Sequence, residues 1–220
     1  MATIAKAGLL NVHSDCHTDG VTTLIIPDLP FALEPAGSPP CDYRLENGEL
    51  VLRSGALTDL FIDPARANAA PPDAGRLTGT PPAGDFTLAA RVTVGFASQF
   101  DAGVLLLQVD DQHWAKLCFE YSPQRKPTAV TVVTRGTSDD SNSFEVEGNQ
   151  LSLRVTRTGR AWAFHASRDG HWWHLLRYFA LDGDARIGFL AQSPAGQGCT
   201  ASFAEIAFHK GAPADLRDGT

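Results

Sequence analysis

At 220 residues, 43% of them hydrophobic and 20% charged, the chain has the composition of a soluble globular protein and enough length to bury a sizeable core. A formal charge of −7 with no basic stripe argues against nucleic acid as a partner. The N-terminus lacks the apolar run of a secretion signal, no stretch approaches the ~20 apolar residues of a membrane span, and the four cysteines (Cys16, Cys41, Cys118, Cys199) form no CxxC pair, so reduced thiols, no membrane contact and a cytoplasmic location are expected.

Residues 1–25 read as an N-terminal segment with room for an edge strand. Within it "HSDCH" crowds metal-loving types (His13, Asp15, Cys16, His17), and alternation sets His13, Asp15 and His17 on one side. No partner cluster completes a four-ligand set, so no metal and no other cofactor is expected. Residues 26–209 read as one β-sandwich domain. "DYRLENGELVLRSG" is a hairpin signal, because Asn47-Gly48 accepts the positive φ angles of a tight turn. "TDLFIDP" follows, and then residues 64–85, rich in Pro, Ala and Gly, read as a loop able to cover neighbouring surface. From Phe86 onward, short apolar runs recur at roughly 8–12-residue spacing with turn residues between them. That rhythm predicts an antiparallel sandwich or barrel and no amphipathic helix of three or more turns. "RGTSDDSNS" (135–143) is polar and reads as a solvated loop; Asp139, Asp140 and Asn142 have calcium-type oxygens, but the spacing matches no dedicated calcium loop. In "SRDGHWW", Ser167 and Asp169 should hold a turn, with Trp172 or Trp173, like Trp162, packed into the core. Residues 210–220 read as a loosely held polar tail.

"HWAKLCFEY" (113–121) carries the functional question. Ala115, Leu117, Phe119 and Tyr121 make one face of a strand apolar, whereas Trp114, Lys116, Cys118 and Glu120 occupy the other. Matching apolar faces pairs Leu117 with Val132 on one side and Leu107 with Lys116 on the other. In that register Trp114 neighbours Arg135, Gly103 leaves room above Glu120, and Asp101 lies diagonal to it. One reading is a wetted sheet surface with a cross-strand Lys–Glu pair worth ~0.2–1 kcal/mol. The other is a groove in which Trp114 stacks on a sugar ring while the charged groups take its hydroxyls. Cys118 beside Lys116 reads either as a reactive thiol or as an idle buried one.

The ordered segments "TDLFIDP", "GDFTLAARV", "DAGVLLLQVDDQHWAKLCFEYSP", "VVTRGTSDD", "SRDGHWWHLLRYF" and "GFLAQSP" resemble a family of concanavalin A-like proteins of unknown function that includes the regulation-of-enolase protein. The resemblance covers about residues 42–208. It implies an all-β, antiparallel two-sheet jelly-roll sandwich of lectin and glucanase type, with a concave sheet as saccharide platform. On positions matching the family's shared core, it marks Asp101, Trp114, Lys116, Glu120, Arg135, Ser138 and Asp139 as candidate ligand-binding residues. Three functions follow as expectations: a non-catalytic carbohydrate-binding module, a glycoside hydrolase using Glu120 and Asp101, or a regulatory protein partner of a metabolic enzyme. Related glucanases carry E-x-D-x-E on this strand, and here only the last carboxylate remains. Lys116 beside it should lower the Glu120 pKa, the wrong direction for a general acid.

Overall fold

A computed structural model describes residues 12–13, 23–66 and 73–220. Its strands are β1 (Val12–His13), β2 (Glu34–Ala36), β3 (Asp42–Glu46), β4 (Glu49–Arg53), β5 (Arg76–Gly79), β6 (Phe86–Val94), β7 (Ala102–Gln108), β8 (His113–Tyr121), β9 (Pro127–Arg135), β10 (Thr137–Glu145), β11 (Gln150–Thr158), β12 (Ala161–Ser167), β13 (His174–Ala180), β14 (Arg186–Gln192) and β15 (Thr200–Lys210). They form an all-β sandwich of two antiparallel sheets. One has the order β1-β3-β4-β15-β6-β11-β12-β13, the other β10-β9-β8-β7-β14-β5-β2. The non-sequential order, with β15 between β4 and β6 and β14 between β5 and β7, is the jelly-roll signature that closes each sheet with distant strands. No helix lies among the described residues, so none could cross a membrane.

The elements follow local chemistry. At the β3–β4 hairpin, Asn47 and Gly48 take φ of 52° and 81°, the two left-handed residues a tight turn of this hand requires. Alternation then points Leu88, Val92, Leu105, Leu117, Phe119, Leu153, Phe164, Phe189 and Phe203 between the sheets, where all are buried in one core. Trp162 joins this core, edge-on to Phe86.

Four expectations need correction. From Thr137 onward "RGTSDDSNS" is not a loop but β10, an edge strand whose mostly exposed polar side chains blunt the sheet edge. Part of the Pro/Ala/Gly-rich stretch is strand β5, because Arg76–Gly79 pairs with both β14 and β2. Ser167 and Asp169 do hold their turn, the Asp169 carboxylate accepting from Ser167 Oγ and the amides of His171 and Trp172. Neither following tryptophan enters the core, however: Trp172 is 56% exposed, and Trp173 lies 4.5 Å beneath the Arg154 guanidinium. Both instead meet the C-terminal residues, which are pinned to the sheet. Trp173 donates to the Gly219 carbonyl at 2.9 Å, and the His165 ring donates to that of Leu216 at 2.9 Å.

Candidate functional site

Central to the seven-stranded sheet, β8 sends Leu117 and Phe119 to the inter-sheet core and Trp114, Lys116, Cys118 and Glu120 to the outer face. Its register differs by one residue from the sequence expectation on both sides. Leu117 opposes Thr131 and Leu105, and Lys116 opposes Val132 and Leu106. The slip has a physical source. Both β7 and β9 are apolar on both faces, as strands covered on both sides are, so hydrophobic matching cannot tell Val130 and Val132 from Ala129 and Val133.

Several candidates move as a consequence. Trp114 now neighbours Thr134, and Arg135 lies on the opposite face, bonded to the Ala180 carbonyl of β13. Gly103 leaves no room above Glu120. It faces the core, where a Cβ would fall 2.6 Å from Val92 Cγ1. Asp139 pairs with Arg177 of the other sheet at 3.0 Å, while Asp140 takes the outer-face position. That alternation also separates Asp139 from Asp140 and Asn142 as calcium ligands. Asp15, Cys16 and His17 lie outside the described residues.

The outer face is not open. Residues 58–62 cross it, tied at one end by a bridge between Thr58 and Ser193. At the other end Ser138 clasps Ile62: its hydroxyl accepts the Ile62 amide at 2.8 Å and its own amide donates to the Ile62 carbonyl at 2.9 Å. Leu60 and Ile62 thereby join a second apolar cluster with Val104, Leu106, Trp114 and Val130. Burying Leu60 contributes about 1.5–3 kcal/mol to holding the segment down. Trp114 is only 2% exposed, so it cannot stack on a ligand, and Ser138 is a clasp rather than a contact.

Beside this cover a cavity of about 310 Å³ remains over β8 and β9. Lys116 rises from its floor, fully buried, and donates to Asp59 Oδ1 at 3.0 Å and Gln192 Oε1 at 2.9 Å. Asp59 comes from the covering segment, its Oδ1 also accepting from the Leu60 amide. Glu120 and Asp140 add two more carboxylates, Val130 and Val132 form an apolar wall, and Phe61 and Phe100 contribute rings. Burial would lower the Lys116 ammonium, but the charges of Asp59 and Glu120 hold it above its ordinary value. Burial pushes the half-buried Glu120 carboxyl up to about 7. Lys116 pulls the other way, and Asp59 and Asp140 add to the rise. The expected lowering by Lys116 is therefore outweighed. Cys118 is buried and its thiol is driven well above its usual range, which makes it inert.

Asp101 is the other correction. Fully buried, it lies outside the cavity lining and is occupied with backbone. Its carboxylate accepts from the amides of Ala97 (2.9 Å) and Ser98 (2.7 Å) and from Ser193 Oγ (2.6 Å). Those bonds shape the loop that holds Phe100 at φ 68°, a backbone conformation a bulky residue adopts only under constraint, at the edge of the cavity. Of the seven candidates, only Lys116 and Glu120 line the cavity. Asp59, Phe61, Phe100, Asp140 and Gln192 were missed. Asp59 and Phe61 sit in "TDLFIDP" and Gln192 in "GFLAQSP", segments far from β8 in sequence whose approach no local pattern reveals.

Three comparisons locate the protein among known ones. "Regulation of enolase protein 1" of Saccharomyces cerevisiae is 26% identical over 163 residues, 73% of this chain and 81% of that protein. A solved structure of a functionally unknown protein from Saccharomyces cerevisiae shares the fold with a TM-score of 0.67 at 23% identity, covering 80% of this chain and 97% of that one. Xyloglucan PUL GH43B of Bacteroides ovatus matches with a TM-score of 0.64 at 17% identity, over 89% of this chain but only 40% of its own. At these identities the two structures establish the concanavalin A-like sandwich and nothing further. Residues 38–211 match the family described as "Protein of unknown function (DUF1349)", and the chain belongs to it.

Proposed function

We propose that the protein is a non-catalytic binding module that holds one sugar-like, polyhydroxylated molecule in the cavity over β8. The lining carries this reading. A buried ammonium with one N–H to spare, an amide and three carboxylates converge on a space walled by two valines and two phenyl rings. Hydroxyls need such mixed donors and acceptors, and the C–H faces of a ring suit apolar walls. A volume of about 310 Å³ is at the small end for ligand pockets, which favours a single ring over an oligosaccharide. The xyloglucan named for the Bacteroides ovatus neighbour supports this ligand class by fold analogy. The free, buried Cys118 and Cys199 suit a reducing compartment, and we place the protein in the cytoplasm.

Glu120 favours one second reading. A carboxyl at about 7 is suited to general acid catalysis at neutral pH, with Asp59 or Asp140, not Asp101, as the other carboxylate of a glycoside-active enzyme. Ligand-observed NMR against a monosaccharide panel is the test. Saturable binding should weaken about tenfold in Phe100→Ala and in Gln192→Ala, the loss of one good contact each. No binding by folded protein would overturn the reading, and a co-purifying protein would then support the regulatory role that the yeast relative's name suggests. Glycoside turnover abolished by Glu120→Gln would establish the second reading.

A further inference from the structure

The charges of the cavity do not balance. Among the described residues, Lys116 is the only basic one in its lining, against Asp59, Glu120 and Asp140. Its ammonium is already committed to Asp59 and to the Gln192 amide. Among the described residues none donates a hydrogen bond to the side chain of Glu120 or Asp140, so two carboxylates face the space with no cation bonded to them. Phe61 and Phe100 line the same cavity, and the face of a phenyl ring attracts positive charge. A ligand that carries its own ammonium would complete this set, whereas a carboxylate or phosphate would meet like charge.

We propose that the cavity selects an amine-bearing sugar or polyol, its ammonium on the Glu120 carboxylate with Asp140 adding negative charge to the same wall, and its hydroxyls bound by Lys116 and Gln192. This rests on the sugar-binding reading above and names the ligand class within it. Glu120 is faced by Lys116 and Cys118 on its own strand, by Asp59 from the covering segment and by Asp140 from β10. Burial, with nearby negative charge added, holds its carboxyl protonated to about pH 7, and an arriving ammonium displaces that proton. Affinity for the amine should therefore rise about tenfold between pH 6 and pH 8, while a neutral sugar shows no such gain.

Isothermal titration calorimetry with 6-amino-6-deoxyglucose, glucose and glucuronate, which differ only at C6, tests the proposal. The amine is expected to bind at least ten times more tightly than glucose at pH 8, with glucuronate weakest and a proton released near pH 7. Glu120→Gln should remove the pH dependence and most of the preference of the amine over glucose. Asp140→Asn, on an exposed edge-strand side chain, should weaken the amine more than glucose and serves if Glu120→Gln does not fold. Equal affinity for amine and glucose, or a preference for glucuronate, overturns the amine assignment and leaves the sugar-binding reading standing. An amine preference unchanged in both variants also overturns it. Failure of all three compounds to bind sinks both.

Discussion

Single side chains in this protein are valued by their surroundings rather than by their type. Trp114 looks like a sugar platform by composition, yet it lies beneath Leu60 and Ile62, and its indole N–H has no partner among the described residues. Trp114→Phe removes that orphaned donor and leaves a small void, opposing effects of about 1–3 kcal/mol each. Stability should thus change by less than about 1.5 kcal/mol, measured by urea denaturation, and ligand binding should survive. Loss of binding with an intact fold would restore the tryptophan to the site. Lys116 is the converse case. Its place on the strand is legible from alternation, but its ties to Asp59 and Gln192 span 57 and 76 residues.

At the scale of elements, the cavity is made by two irregular segments laid against regular strands. Residues 58–62 close one side through Ser138 and Ser193, and the loop before β7 closes another through Asp101. Asp101→Ala would strand two amides and a hydroxyl, at about 3 kcal/mol. Release of Phe100 from φ 68° should also weaken ligand binding, although Asp101 never touches the ligand. A thermal melt together with the same binding assay checks both halves. A destabilised variant with unchanged affinity would show that the loop's shape does not matter to the cavity. Strand identity was mostly readable, because β6–β9 and β11–β15 alternate or run apolar between turn residues. β10 escaped because an exposed edge strand carries no apolar face, and β5 because four residues among prolines and glycines look like loop.

For the whole molecule, two groups on opposite sheets, half-buried Glu120 and buried His165, act oppositely on stability. The Glu120 carboxyl is raised from 4.5 to about 7, so its contribution is complete below pH 4.5 and is lost as pH rises through 7. Burial holds the His165 imidazole down from 6.5 to about 4, against the pull of its bond to Leu216. Its contribution is complete above pH 6.5 and is lost as pH falls toward 4. The windows overlap, and the native protein should show nearly flat stability between pH 4.5 and 6.5. Glu120→Gln should expose a decline on acidification through that range, and His165→Gln, whose amide still reaches the Leu216 carbonyl, an increase. Denaturant midpoints at several pH values decide it; matching slopes in the two variants would show that these residues are not the source.

The all-β class, the β3–β4 hairpin, the Ser167–Asp169 turn and the two faces of β8 are properties of sequence alone, because turn chemistry and period-2 alternation act between residues a few positions apart. Register, cover and charge balance were decided only in three dimensions. Strands apolar on both faces accept either register, and only the partner sheet on one side and residues 58–62 on the other choose between them. The cavity follows from that choice. A carboxylate that pairing with lysine would lower is instead raised, because burial beneath distant segments outweighs a neighbour two residues away.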